Sequence, residues 1–199
     1  MISLNAVRIN SVAEERPHAV YDVAADPVVG GKLMVTRGTG RKVREALAEV
    51  LEGLPLGGVL YVDTRGVDLM DYSFADEVLG ILVSRVASGE YGERRVALVE
   101  EDRELLENME ASLRQRGLAM IRVDEVGGEP GIVGDVPEHL EDTLRAINAS
   151  GPISNADLAA KLGLNHTAMN NRATRLLKLG LIQRRKDSAA RQYTYQGVA

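Results

Sequence analysis

Cysteine is absent from all 199 residues, which excludes disulfides, thiolate zinc sites and cysteine nucleophiles together. Histidine occurs only at His18, His139 and His166, too few and too scattered for a histidine metal cluster. There is no run of eighteen apolar residues and no basic-then-apolar leader. Neither a membrane span nor a signal peptide is therefore expected, and a cytoplasmic location is. No internal repeat or low-complexity tract interrupts the chain. Nothing in it assembles a nucleophile with a base, or two carboxylates around a shared site, which argues against an enzyme. No cofactor is implied.

What is present begins with enough apolar content, 45%, for a packed core, in a length that suits one large domain or two small ones. The net charge of −5 conceals an asymmetry. Residues 1–134 hold 15 Lys and Arg against 23 Asp and Glu, a balance of −8. Residues 135–199 hold 9 against 6, a balance of +3. Within 165–191 seven residues are basic and one is acidic. An acidic front would repel a polyanion and the cationic stripe would attract it, so any nucleic-acid contact belongs to the back third.

The front reads as alternating strands and helices. Residues 2–12 and 19–24 have β-type composition, and residues 32–36 suit a third strand. The run GTGRK (38–42) lacks the spacing of a phosphate-binding loop and reads as a Gly-rich start to a helix over 41–54. Residues 59–64 form an apolar strand whose continuity predicts burial on both faces. A helix over 73–88, a strand over 95–99, a helix over 102–116 and a strand over 118–123 follow. This alternation predicts an α/β domain over 1–125 with helices packed on a mainly parallel or mixed sheet. Residues 126–135, with four glycines and one proline, read as a linker. Asp63, Asp68, Asp71 and Asp76 match no calcium loop and read as exposed loop and cap acids. Acids in 100–110 read as a solvated helix face with carboxylates near its start.

The remaining residues, 136–199, predict a second domain. A helix over 136–149 would open it. Ser154, with Asp157 three residues on, resembles a capping box, and Gly163 ends the short helix between them. Asn165 then suits the N-cap of a helix from about His166 to Leu179, which Gly180 stops. Met169, Ala173, Leu176 and Leu177 supply its apolar side. Thr167, Asn170, Asn171, Arg172 and Arg175 are assigned to the other side. Asn and Arg carry paired donors and acceptors that fit base edges in a major groove. Arg184, Arg185, Lys186 and Arg191 flank the turn of a β-hairpin and would lie beside phosphates. His166 reads as a surface residue at the start of the second helix.

The run ADLAAKLGLNHTAMNNRATRLLKLGLIQRR and the ending RQYTY resemble the winged helix-turn-helix domains of the MarR and ArsR transcription-regulator families. The resemblance implies a small C-terminal DNA-binding domain acting on double-stranded DNA as a homodimer. In the front, LYVDTRGVDLMDYSFADEVLGIL resembles the STAS domains of anti-sigma-factor antagonists, and more closely a STAS-like family whose helix opens with Ser-Phe-Ala-Asp-Glu, as residues 73–77 do. In the antagonists a Ser or Thr at the position of Ser73 is phosphorylated by a partner kinase. Tyr72 and Phe74 depart from that motif. Asp71, Asp76 and Glu77 would oppose a phosphate there, and Ser73 also suits a plain N-cap with Asp76 three residues on. The main expectation is a transcriptional regulator whose STAS-like domain senses a signal or recruits a regulatory protein. The alternative is an interaction module resembling the antagonists and switched at Ser73.

Overall fold

Four apolar segments, each followed by an amphipathic helix or an edge strand, build the front of the molecule. The computed structural model describes residues 7–10, 17–29, 32–187 and 192–199. It divides into two units, residues 1–135 and Val136–Val198. The front unit runs β1 (Val7–Asn10), β2 (His18–Asp22), β3 (Leu33–Met34), α1 (Arg37–Gly53), β4 (Val59–Asp63) and β5 (Leu69–Met70). Next comes α2 (Tyr72–Ala75), which widens into a π-helical turn over Asp76–Gly80 and continues as α3 (Ile81–Ala87). β6 (Arg95–Val99), α4 (Arg103–Gln115), β7 (Ala119–Val123) and β8 (Gly131–Gly134) complete it.

The six-stranded sheet has the order β1-β2-β4-β6-β7-β8. β2, β4, β6 and β7 are parallel neighbours, and β1 and β8 close the edges antiparallel. Parallel neighbours need long crossovers, which the helices supply. β3 and β5 form a separate parallel pair. Alternate residues of the sheet, Tyr21, Leu60, Val62, Leu98 and Met120, meet Val43, Leu47 and Leu51 of α1, Leu82 of α3 and Met109 and Leu113 of α4 in one core. β4 is buried at its first four positions and β6 at all five, the pattern expected of central strands.

Three expectations for the front need correction. The glycine-rich stretch after β7 is not only linker, because Gly131–Gly134 pairs with β7 as an edge strand. Gly134 has φ 107°, and a Cβ there would lie 2.4 Å from the Leu118 carbonyl oxygen. That glycine serves a close backbone approach rather than flexibility. Glu100 is not solvated: it is 2% exposed, accepts from the Thr64 hydroxyl at 2.7 Å and from the amides of Glu101 and Asp102. Asp76 is not an exposed acid either, as described below, and Glu77 is buried beside it.

The back unit runs α5 (Glu138–Ser150), β9 (Ile153–Ser154), α6 (Asn155–Leu162), α7 (His166–Leu179), β10 (Ile182–Asp187) and β11 (Gln192–Gly197). Local chemistry places each break. The Ser154 hydroxyl accepts from the Asp157 amide and donates to its carboxylate at 2.6 Å, so the short acid closes the box side chain to side chain. Gly163 and Gly180 end α6 and α7 in the left-handed conformation, and the Asn165 side-chain Oδ1 caps α7 by accepting from the Ala168 amide at 2.8 Å. The strands form a sheet in the order β10-β11-β9. This is a three-helix unit with a β-hairpin wing, built on buried Leu140, Leu144, Ile147, Leu158, Met169 and Leu176.

Candidate nucleic-acid interface

α7 has fourteen residues, about 21 Å of rod at 1.5 Å per residue. Its inward side is Met169, Ala173 and Leu176, each fully buried. Thr167, Asn170, Asn171 and Arg175 are exposed, on the side assigned to them from the sequence. Thr174 and Lys178 are exposed with them. Thr167, Asn171, Thr174 and Lys178 recur at intervals of four, three and four, so they form the centre line of the free face, with Asn170 and Arg175 beside it. Selection by residue type missed Thr174 and Lys178, and helical spacing alone would have found them. His166 is exposed at the first turn, its Nδ1 3.4 Å from the side-chain Nδ2 of Asn155 in α6.

Arg172 is placed differently from the expectation. It lies three residues after Met169 and four before Leu176, on the inward side, and is half-buried. Its guanidinium turns back to α5. It donates to the His139 carbonyl oxygen at 3.0 Å and to the Thr143 hydroxyl at 3.3 Å.

The wing places three cations in the open. Arg184, Arg185 and Lys186 are exposed on β10. They pair across the ladder with Tyr195, Thr194 and Tyr193 in turn. Alternation along a strand therefore sends Arg184 and Lys186 to the tyrosine side and Arg185 to the opposite side. The Arg184 guanidinium carbon lies over the Tyr193 ring, 4.4 Å from its centroid, a cation–π contact with an exposed aromatic. Arg191 and the tip residues 188–190 lie outside the described residues. A polar helix face beside a cationic ribbon has the chemistry for base-edge bonding from Asn and Arg and phosphate bonding from the wing.

Residues 142–191 match the model of the MarR family. The match runs from the middle of α5 to the wing and speaks for a winged helix domain. It covers about a quarter of the chain, so it says nothing of the front unit. No curated protein shows a significant match to the chain. No helix among the described residues is long and apolar enough to cross a membrane.

The Ser73 region is built differently from its sequence reading. The N-cap is Asp71, whose carboxylate accepts from the Phe74 amide at 2.7 Å and, through its other oxygen, from the Thr36 amide at 3.2 Å. Ser73 is the second helical residue and is half-buried. Asp76 and Glu77 are 4% and 5% exposed. In the wide π turn, Asp76 reaches α4 and Glu77 reaches α1. Asp76 accepts from Arg116 Nε at 2.8 Å and Nη2 at 3.1 Å, from Ser112 at 3.1 Å, and pairs with Arg37 at 3.1 Å. The Arg116 guanidinium, despite burial, holds the Asp76 carboxyl below the usual carboxylate range. Glu77 takes Arg44 at 3.3 Å, with Arg37 and Arg41 further off at 3.6 and 3.8 Å. Gly80 makes room: a Cβ there would lie 2.5 Å from Ser112 Oγ and 2.9 Å from Asp76 Oδ1.

Proposed function

We propose that this protein is a DNA-binding transcriptional regulator in which α7 enters a major groove and the wing lies along the flanking backbone. The observation that carries the reading is the row Thr167, Asn170, Asn171, Thr174, Arg175 and Lys178 on a solvent-facing helix, beside Arg184, Arg185 and Lys186. A helix of about 10–12 Å diameter fits a major groove about 12 Å wide. Asn170 and Asn171 can bond an adenine edge and Arg175 a guanine edge, while the wing cations and Arg191 neutralise phosphates. The protein acts as a homodimer on two half-sites, as one short recognition helix reads too few base pairs for selectivity. The match of residues 142–191 to the MarR family supports the same reading.

The test is selection of duplexes from a random pool, followed by anisotropy over a salt series. The expected result is an enriched sequence and a log–log salt slope of several units, since each neutralised phosphate contributes about −0.9. Absent or salt-insensitive duplex binding overturns the reading.

The front unit, on this proposal, recruits a regulatory protein or senses a signal around Ser73. One observation favours a phosphorylation switch there over the repulsion expected from the sequence. Asp76 and Glu77 are each matched by arginine, and Arg37 is 54% exposed beside both. Phosphate at Ser73 would meet carboxylates at Asp76 and Glu77 that arginine already compensates. Ser73→Asp that leaves every captured partner unchanged in a pull-down removes this version.

A further inference from the structure

We propose that Arg172 is a positioning residue: it locks the rotation of α7 against α5 and does not itself read bases. The inference rests on the DNA-binding reading above and concerns how that helix is held.

The sequence points the other way, because an arginine among asparagines on a recognition helix looks like a base reader. The geometry assigns it inward. Met169 and Leu176, its neighbours one turn either way, are fully buried. One guanidinium nitrogen, Nη1, donates to both the His139 carbonyl and the Thr143 hydroxyl. Thr143 is fully buried, and its own hydroxyl donates to the same His139 carbonyl at 2.9 Å. The hydroxyl thus accepts from Arg172 and donates onward, so all three groups converge on one point of α5.

Such a point matters because the rest of the contact is non-directional. Apart from Thr143, the buried residues of α5 and α7 are Leu140, Leu144, Ile147, Met169, Ala173 and Leu176, all apolar. Aliphatic packing resists separation but tolerates small rotations and slides. Side-chain tips lie on the order of 6 Å from a helix axis, so roughly 10° of rotation moves the Asn171 amide about 1 Å. A bidentate amide–adenine contact depends on donor and acceptor distances held within a few tenths of an ångström. Arg172 supplies the directional bond that apolar packing lacks.

The experiment uses the full chain with the selected duplex and a scrambled duplex of equal length, each over a salt series. Arg172→Met keeps the aliphatic stem and removes the donors. Thr143→Val keeps the shape and removes the relay. Arg172→Lys restores one charged donor and covers the case in which the Met variant fails to fold, as read by circular dichroism. The expected result is a tenfold or greater loss on the selected duplex in Arg172→Met, no change on the scrambled duplex, and an unchanged salt slope. Thr143→Val reproduces part of that loss, the double variant is no worse than Arg172→Met alone, and Arg172→Lys recovers part of it. A slope that falls by about one unit makes Arg172 a phosphate contact and overturns the inference. So does a loss confined to one base-pair position with Thr143→Val neutral, or equal loss on both duplexes. If the wild-type chain selects no duplex at all, the regulator reading itself fails. If it selects one and the variants behave as wild type, only the role of Arg172 fails.

Discussion

The front and back units use arginine in opposite ways. In the front, Arg44 and Arg116 are drawn into the helix layer by Asp76 and Glu77, and the charges cancel inside the fold. In the back, Arg175, Arg184 and Arg185 are exposed, and among the side chains described none of the carboxylates lies within ion-pair distance of them, the side chain of Asp187 being outside that description. Arg172 and Arg145 are the exceptions there: Arg172 is spent on a carbonyl and a hydroxyl, and Arg145 pairs with Glu141 and Asp142 of its own helix. Internal compensation stabilises a shape, whereas uncompensated cations on a ribbon leave a field that an outside polyanion can satisfy. Composition alone does not separate the two uses. What separates them is whether a partner 30 or 40 residues away comes within reach.

That contrast can be broken at its strongest point first. Asp76→Ala strands the Arg116 and Arg37 guanidinia and leaves Ser112 without its acceptor. The expected loss is about 3 kcal/mol in urea unfolding, the lower end for a broken buried pair because both arginines keep some solvent. The same carboxylate gives the front unit a pH signature. Its folded pKa lies below the unfolded value, so the stabilisation is present at neutral pH and is lost as pH falls through the acid range. The wild type should lose stability more steeply below about pH 4 than Asp76→Asn does. Gly80→Ala attacks the same network sterically, and crowding of Ser112 and Arg116 should cost about 1–3 kcal/mol in the same assay.

The back unit should respond more mildly in stability and more strongly in binding. Asn165→Ala removes the cap of α7 and should cost about 1 kcal/mol in thermal unfolding. Arg185→Ala should change stability by less than about 0.5 kcal/mol. It should nevertheless flatten the salt dependence of duplex binding by about one unit. If Arg185→Ala instead destabilised the chain as much as Asp76→Ala, the opposition between internal and external arginines would be lost.

Much of the back unit was readable along the chain because its signals are local. Ser154 and Asp157 are three residues apart, Asn165 caps an amide three residues on, and Gly163 and Gly180 take the left-handed conformation where each helix stops. The exposed row of α7 was readable only in part. Residue type picked out Asn170, Asn171 and Arg175, passed over Thr174 and Lys178, and sent Arg172 to the wrong side although its spacing from Met169 and Leu176 marked it as inward. In the front, the strand and helix periods were legible, but the N-cap was placed at Ser73 instead of Asp71. Asp71 bonds both its own helix and Thr36, and a partner 35 residues distant leaves no mark in local spacing.

The sequence by itself determined the order of the longer strands and helices, without β5, β8 and β9, and also the stops of α6 and α7 and the surplus of cations toward the carboxyl end. Those follow from side-chain period, cap chemistry and charge count, which act over a few residues. Only the tertiary structure decided that Asp76 and Glu77 are buried, that Gly131–Gly134 is a sheet edge and that Arg172 faces α5. Each of these depends on which distant backbone or side chain arrives beside it. A buried charge or an unpaired strand edge is stable only once that partner is in place.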